Sequence, residues 1–102
     1  MKNYVVLSKD GRELHTDVLL HPGDLLKKEL AARGLKKIFF AEQLDIHASQ
    51  LSDLLSRKRH VNAPLALKLE ALLGIEADFW MRVQSAYDLE IARVEVRQKI
   101  AA

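Results

Sequence analysis

The run from Leu35 to Arg59 constrains the fold of this chain more than any other part of the sequence. Its apolar positions predict two short helices, and a small residue, Ala41, stands where those helices would have to cross closely. A larger side chain at that point would overpack the crossing, at a cost of about 1 to 3 kcal/mol. The other apolar residues of this wedge are Phe40, Leu44, Ile46, Leu51 and Leu54.

This arrangement is typical of a helix-turn-helix, whose second helix enters the major groove of DNA. The turn between the two helices often adopts a positive φ and therefore favours glycine, whereas this chain has Asp45 there. Aspartate tolerates the left-handed region better than most residues, at a modest cost. The helix-turn-helix prediction therefore stands despite the departure.

Basic residues are concentrated in the predicted helix-turn-helix. The chain of 102 residues has a net charge of only +2, which permits nucleic acid as a partner but does not require it. With 49% hydrophobic residues, it has enough apolar side chains for the core of one domain. The basic residues between positions 33 and 60 are Arg33, Lys36, Lys37, Arg57, Lys58 and Arg59, and the acidic residues are Glu42, Asp45 and Asp53.

Residue types argue against catalysis, a cofactor, a metal ion or a membrane segment. The chain has no cysteine and no apolar run near the roughly 18 residues of a membrane helix. The apolar run Tyr4 to Leu7 is too short for a signal peptide, so we expect a cytoplasmic protein. No Gly-rich phosphate loop precedes a helix, and we expect neither an enzyme nor a small-molecule ligand. The histidines lack metal-ligand spacing and a partnered nucleophile, and we interpret them as surface or capping residues: His15, His21, His47 and His60.

Two regions are distinguished along the chain. Residues 1 to 20 contain two extended-looking runs about a Lys-Asp-Gly turn and are predicted to form a short extended arm or a β-hairpin. Residues 21 to 102 are predicted to form five helices, because each segment carries a start or stop signal. These helices run from Pro22 to Gly34, Lys36 to Leu44, about Ala48 to Leu55, Asn62 to Gly74, and from about Asp78 onward.

The last predicted helix carries one continuous apolar stripe, formed by Trp80, Val83, Tyr87, Ile91 and Val94. We assign Trp80 and Val83 to ordinary core packing. Tyr87, Ile91 and Val94 are predicted to form a two-fold dimer interface. Two reading helices must be held about 34 to 36 Å apart to bind a palindrome, and a dimer through this helix would do so.

The N-terminal half of the third predicted helix is expected to face the major groove. The residues nearest the base edges are then His47, Ala48, Ser49 and Gln50, with Ser52 and Asp53 one turn later. Other roles are open for several of them: Ser49 suits a helix-start hydrogen bond, Gln50 a solvated amide, and His47 the N-cap or a phosphate contact. Asp53 could accept from cytosine or pair with Arg57 four residues on, and we favour the pair.

Two further groups of residues are candidates for contacts. Four basic residues flank the third predicted helix: Lys37, Arg57, Lys58 and Arg59. We predict that they contact phosphates of DNA. The alternative is that they belong to a solvated loop without such contacts. Ile38, Phe39 and Leu67 are apolar at positions that are usually polar. Either the arm, through residues 4 to 7 or 18 to 20, covers Ile38 and Phe39, or these residues form a protein-binding patch for a toxin or a second subunit.

Two short motifs are more specific than the helix-turn-helix itself. They are the opening His21-Pro22-Gly23 and, above all, Asp78-Phe79-Trp80 followed by Gln84, Ala86, Tyr87 and Asp88. The helix-turn-helix residues Leu35 to Leu55 and the Arg57-Lys58-Arg59 loop accompany them. In these motifs, residues 21 to about 93 resemble the HigA family of antitoxins, within the wider group of Cro and phage-repressor-like helix-turn-helix domains. The resemblance implies an all-α, five-helix fold of the lambda-repressor type.

The resemblance also implies a function. The resemblance implies a homodimer that binds and neutralises a RelE-like, mRNA-cleaving toxin. It also implies that this homodimer represses its own operon by binding a palindromic operator of double-stranded DNA. Two other functions stay open at this point. One is a free-standing helix-turn-helix repressor without a toxin partner, and the other is a helical adaptor that binds only protein.

Overall fold

The computed structural model describes residues 19–101, and within them it contains five α-helices and no strand. The helices are α1 (Pro22–Arg33), α2 (Lys37–Leu44), α3 (Ala48–Leu55), α4 (Ala63–Leu73) and α5 (Ala77–Ala101). This order confirms the prediction of an all-α domain of five helices. The predicted arm lies outside the described residues except for Leu19 and Leu20, which are in neither helix nor strand.

The first helix begins and ends with the signals expected from its sequence. The His21 ring Nδ1 accepts a hydrogen bond from the Gly23 N–H at 2.9 Å, and the Asp24 carboxylate accepts one from the His21 N–H at 3.0 Å. This reciprocal capping box satisfies two N–H groups that the helix itself leaves without partners. Gly34 ends α1 with φ of 68°, a left-handed conformation that glycine adopts at little cost.

Polar contacts also fix the ends of the other helices. The Asn62 side chain accepts from the Leu65 N–H at 3.0 Å and caps α4, as predicted. The Arg33 guanidinium donates to the Leu73 carbonyl at 2.9 Å, which joins the end of α1 to the end of α4. The Lys68 ammonium donates to the Leu44 carbonyl at 3.0 Å and so satisfies an orphan acceptor at the end of α2.

All five helices surround one apolar core. Its largest fully buried side chain is Trp80 at the start of α5, whose indole N–H donates to the Ile75 carbonyl at 3.2 Å. A buried indole needs such a partner, because an unmade hydrogen bond in the core is costly. The other buried apolar residues are Leu26, Leu30, Phe40, Ala41, Leu44, Leu51, Leu54, Leu55, Val61, Leu65, Ala66, Leu69 and Leu73.

The crossing of α2 and α3 has the geometry that its sequence predicts. Ala41 is only 2% exposed and lies in the core between the helices. Asp45 ends α2 with φ of 60°, the left-handed conformation expected for a turn position that is often glycine. Ile46, predicted as part of the apolar wedge, is only partly buried and packs against the edge of the core.

A second close approach, between α1 and α3, has its cause in Gly23. A Cβ atom added to Gly23 would overlap the backbone carbonyl oxygen of Leu54. Glycine is therefore needed here because no side chain would fit. Its φ is not in the left-handed region, so backbone conformation is not the reason for glycine at this position. In the sequence, Gly23 stands out only as part of the His21-Pro22-Gly23 motif, and its steric role was not predicted.

We expect the substitution Gly23→Ala to lower the free energy of unfolding by about 3 kcal/mol, the upper end of the range for overpacked sites, because a backbone carbonyl must move. Gly34→Ala is the matched control, since an added methyl at Gly34 meets no atom within 4 Å. The control adds only left-handed backbone strain, at about 1 kcal/mol. Urea unfolding measures both. A cost for Gly23→Ala no larger than that of Gly34→Ala would contradict the close approach.

Candidate DNA interface

The third helix separates its apolar and polar side chains cleanly. Leu51 and Leu54 are fully buried, and Leu55 is nearly so. The residues that were predicted to read bases lie on the other side: Ala48, Ser49, Ser52 and Asp53 are exposed, and Gln50 is half-buried. The helix therefore presents a continuous polar face of short side chains to solvent.

Gln50 has a structural role that was not predicted from the sequence. Its side-chain carbonyl oxygen accepts a hydrogen bond from the His47 N–H at 2.8 Å, and so contributes to the capping box of α3. His47 is the N-cap residue, one of the roles considered for it. The sequence signal was a Gln three residues after the cap, but His is not one of the usual cap residues. With its oxygen engaged, Gln50 retains its amide NH2 group for contacts with bases.

Basic residues flank α3 on the surface. Lys37 is exposed at the first position of α2, Lys58 is exposed in the loop after α3, and Arg59 is half-buried in the same loop. The Lys58 N–H donates to the Asp53 carbonyl at 2.8 Å, which keeps the loop directly against the end of α3. Three positive charges thus lie on the elements that surround the polar face.

Arg57, the first basic residue of that loop, is hydrogen-bonded to other atoms of the protein. Its Nε donates to Asp24 Oδ1 at 3.1 Å, and its Nη2 donates to Asp24 Oδ2 at 2.7 Å and to the Leu19 carbonyl at 2.9 Å. The predicted pair of Asp53 with Arg57 is therefore wrong. An i,i+4 pair requires a continuous helix, whereas α3 ends at Leu55 and Arg57 has φ of 70°.

An aromatic side chain of α5 completes this cluster. The Tyr87 ring packs edge-on against the His21 ring, with centroids 4.7 Å apart, and the Arg57 guanidinium carbon lies 5.8 Å from the Tyr87 centroid. Both geometries are favourable for aromatic and cation–π contacts. Tyr87, a predicted dimer residue, is thus half-buried against its own chain.

Burial and charge shift the ionisation of the groups in this cluster. Burial of the His21 ring lowers its pKa, the effect of the nearby Asp24 carboxylate being smaller. Burial by itself would raise the pKa of the Asp24 carboxyl, but hydrogen bonds from Arg57 and from the His21 N–H lower it below the ordinary value. The pKa of Arg57 is raised, chiefly by its hydrogen bond to Asp24.

A second polar network fixes the loop between α3 and α4. Gln84 of α5 is buried, and its carbonyl oxygen accepts from the Val61 N–H at 2.7 Å. Its Nε2 donates to Asp88 Oδ1 at 3.0 Å and lies 2.9 Å from His60 Nδ1. Gln84 and Asp88 belong to the most specific motif of the sequence, and these contacts give that motif a physical purpose: they attach α5 to the loop that carries the basic residues.

The predicted protein-binding patch is on the surface. Ile38 is 72%, Phe39 52% and Leu67 59% exposed. Residues 4 to 7, one of the segments expected to cover Ile38 and Phe39, lie outside the described residues. On α5, Ile91 and Val94 are each 38% exposed, and all residues from 91 to 100 are exposed.

Among residues 19–101, no group of three or more His, Asp or Glu side chains is arranged to hold a metal ion. No helix in that range has the length and apolar character needed to cross a membrane.

Comparisons with known proteins agree with this geometry. The sequence profile of the helix-turn-helix family matches residues 26–80, more than half of the chain. A solved structure from Coxiella burnetii, described as an addiction module antidote protein of a HigA family, is 30% identical, has a TM-score of 0.73, and matches over 81% of this chain and 91% of that one. The chain belongs to the HigA family. The resemblance noted in the sequence is thereby confirmed.

Other members and relatives of the HigA family extend the comparison. The Pseudomonas aeruginosa antitoxin HigA, solved with the higBA promoter, is 28% identical, with a TM-score of 0.75 and coverage of 81% of this chain and 91% of that one. Virulence-associated protein I of Dichelobacter nodosus is 34% identical over 72% of this chain and 68% of its own length. Proteins of this family are antitoxins and helix-turn-helix transcriptional regulators, which confirms the prediction that the chain is a DNA-binding protein and not an enzyme.

The buried His21 makes the stability of the fold dependent on pH. Because its pKa is lower in the folded chain than the ordinary 6.5, the folded state binds this proton less readily than the unfolded state does. Stability from this residue is fully present above pH 6.5 and is lost as the pH falls through the lower, folded-state pKa. We expect the thermal unfolding midpoint to fall between pH 7.5 and pH 5, and to fall less in His21→Asn, which retains a capping acceptor but does not titrate. Equal pH dependence in both proteins would contradict this role.

Proposed function

We propose that the chain is a homodimeric antitoxin that represses its own operon and neutralises a RelE-like, mRNA-cleaving toxin. The observation that carries the DNA-binding part is the outward polar face of α3, flanked by Lys37, Lys58 and Arg59. The HigA relative solved with promoter DNA supports the same reading. Such a protein would act in the cytoplasm, where both DNA and mRNA are available to it.

Direct readout would come from the exposed face of α3. Ser49 and Ser52 can donate to or accept from several bases, and the Ala48 methyl can pack against a thymine methyl. Gln50 can donate its amide NH2 to adenine N7, and Asp53, which has no Arg57 partner, can accept from the cytosine amino group. His47 lies at the N-cap, where a phosphate contact is more favourable than a base contact. Because these side chains are short, DNA shape would supply part of the specificity.

Dimerisation would position two such faces on one operator. Ile91 and Val94 remain partly exposed on α5 although they continue the stripe of the buried Trp80. Burying them against a second copy of α5 would remove apolar area from water without disturbing the core. Tyr87 would contribute only through the part of its ring that His21 and Arg57 leave open.

The toxin would bind away from the DNA-reading face. Ile38, Phe39 and Leu67 are the most exposed apolar side chains of α2 and α4. Side chains of this kind are costly to leave in water and favour a protein partner. We propose that they contribute to the toxin-binding surface, although the N-terminal segment is the other candidate to cover them.

DNA binding is tested by titrating a labelled duplex from upstream of the gene at several salt concentrations. We expect two chains per duplex and an affinity that falls steeply with salt, because counterions are released from phosphates. Lys58→Gln should reduce the magnitude of the slope by about 0.9 for each bound chain, or about 1.8 for the two chains on one duplex, and leave sequence preference unchanged.

Lys99→Gln, an exposed change on α5 far along the chain, is the control for that titration and should leave the slope unchanged. If the wild-type chain does not bind upstream DNA even at low salt, the repressor function is wrong.

Toxin neutralisation is tested by co-expression with the neighbouring reading frame and a growth assay. We expect the triple variant Ser49→Ala, Gln50→Ala, Asp53→Ala to lose operator selectivity and still rescue growth, whereas Phe39→Ser with Leu67→Ser should weaken rescue and retain DNA binding. Rescue that fails in the α3 variant but survives in the patch variant would contradict separate surfaces. DNA binding with no toxic neighbour and no rescue would leave the free-standing repressor.

A further inference from the structure

We propose that Arg57 is a positioning residue, which fastens the loop after the reading helix to the body of the protein, and is not a phosphate contact. The inference rests on the proposed DNA binding, since the loop in question also carries Lys58 and Arg59. It concerns a residue whose position in a basic loop would otherwise assign it to the DNA backbone.

The guanidinium of Arg57 is already engaged by oxygen atoms of the protein. Two of its nitrogens bind the two oxygens of Asp24, at 3.1 and 2.7 Å, in the parallel geometry that arginine forms with a carboxylate. The same Nη2 also donates to the Leu19 carbonyl at 2.9 Å. These bonds use three of the five N–H donors of Arg57. A phosphate would have to bind the other two, on Nη1, beside the Asp24 carboxylate, whose negative charge would repel it.

The acceptor of this pair is itself fixed. Asp24 lies in the first turn of α1, where the helix dipole favours a negative charge, and its Oδ2 also accepts from the His21 N–H at 3.0 Å. The carboxylate therefore cannot swing toward solvent without breaking the capping box of α1. Arg57 is attached to a rigid point of the fold.

A third element approaches from the other side. The Tyr87 ring of α5 lies 5.8 Å from the guanidinium carbon and is held by the buried His21 ring. The Arg57 side chain thus connects the loop after α3 with both α1 and α5.

The backbone of Arg57 shows why the loop needs this attachment. Its φ of 70° is unfavourable for an L-residue that is not Gly, Asn or Asp. This conformation turns the chain so that the Lys58 N–H reaches the Asp53 carbonyl and Lys58 and Arg59 follow directly after α3. The side-chain contacts of Arg57 oppose relaxation of that turn, and so hold Lys58 and Arg59 in place.

Two substitutions distinguish positioning from a phosphate contact, because the two roles predict opposite results for them. Arg57→Lys retains the charge but cannot make the paired bonds to Asp24, and Asp24→Asn retains the shape but removes the negative charge. If Arg57 positions the loop, each variant lowers DNA affinity by roughly fivefold, about the most that a partly exposed ion pair contributes, with an unchanged salt slope. The double variant is then no weaker than either single one.

The contrary result is equally definite. If Arg57 contacts a phosphate, Arg57→Lys keeps affinity and slope, while Asp24→Asn frees the guanidinium and binds DNA more tightly with a steeper slope. That result would overturn the proposal. Lys58→Gln calibrates the slope lost with one phosphate contact.

Amide hydrogen exchange of the free protein supplies a readout that does not depend on DNA. We expect the Lys58 N–H to exchange about fivefold faster in both variants, because the loop opens when its attachment is lost, while amides of α4 stay as slow as in the wild type. If the wild-type chain fails to bind DNA, the proposed function fails, but this exchange still decides whether Arg57 holds the loop. Unchanged exchange at Lys58 in both variants would overturn the positioning role.

Discussion

The burial of the inner side of α3 is the interaction on which the rest of the molecule depends. Leu51 and Leu54 are removed from water completely, and together they stabilise the fold by several kcal/mol, at about 25 cal/mol for each Å² of apolar surface. They can be buried only because the neighbouring helices approach closely, at Ala41 on α2 and at Gly23 on α1. The same contacts determine which side chains of α3 face solvent. Function at this face is therefore a consequence of packing behind it.

Around this core, polar contacts at the edges hold the reading unit to the remainder of the chain. Arg57 binds Asp24 of α1, and Gln84 of α5 binds the backbone of the α3–α4 loop. Each contact joins residues far apart in sequence. Asp24 accepts hydrogen bonds from Arg57 through both of its carboxylate oxygens, and Gln84 is buried. The geometry ties α5, the proposed dimer element, to the loop that carries Lys58 and Arg59. A change in how α5 packs would thus alter the position of the loop that carries Lys58 and Arg59.

Most of the features predicted correctly from the sequence are local ones, the crossing of α2 and α3 at Ala41 being the exception. Gly34 and Asp45 occupy left-handed positions that their own backbones require, and such requirements are visible in a few neighbouring residues. Apart from the local cap that Gln50 supplies to α3, the features missed depend on tertiary contacts. Asp24 is 33 positions from Arg57, so no periodicity in the sequence links the two residues. The spacing of four residues instead favoured an ion pair between Asp53 and Arg57. That pair does not form because α3 ends at Leu55. Gln84 was noticed only through the family resemblance, because a buried amide gives no signal in hydropathy or spacing.

The central claim, that the outward face of α3 and the loop behind it form the DNA-reading surface, is tested most directly by mapping the DNA-bound state residue by residue. The measurement is a titration of the isotope-labelled protein with upstream duplex, followed through backbone amide chemical shifts. The account predicts large shifts at residues 48 to 53 and at Lys58 and Arg59, with small ones on the outer face of α2. Shifts concentrated at Ile38, Phe39 and α4, with α3 unchanged, would contradict it.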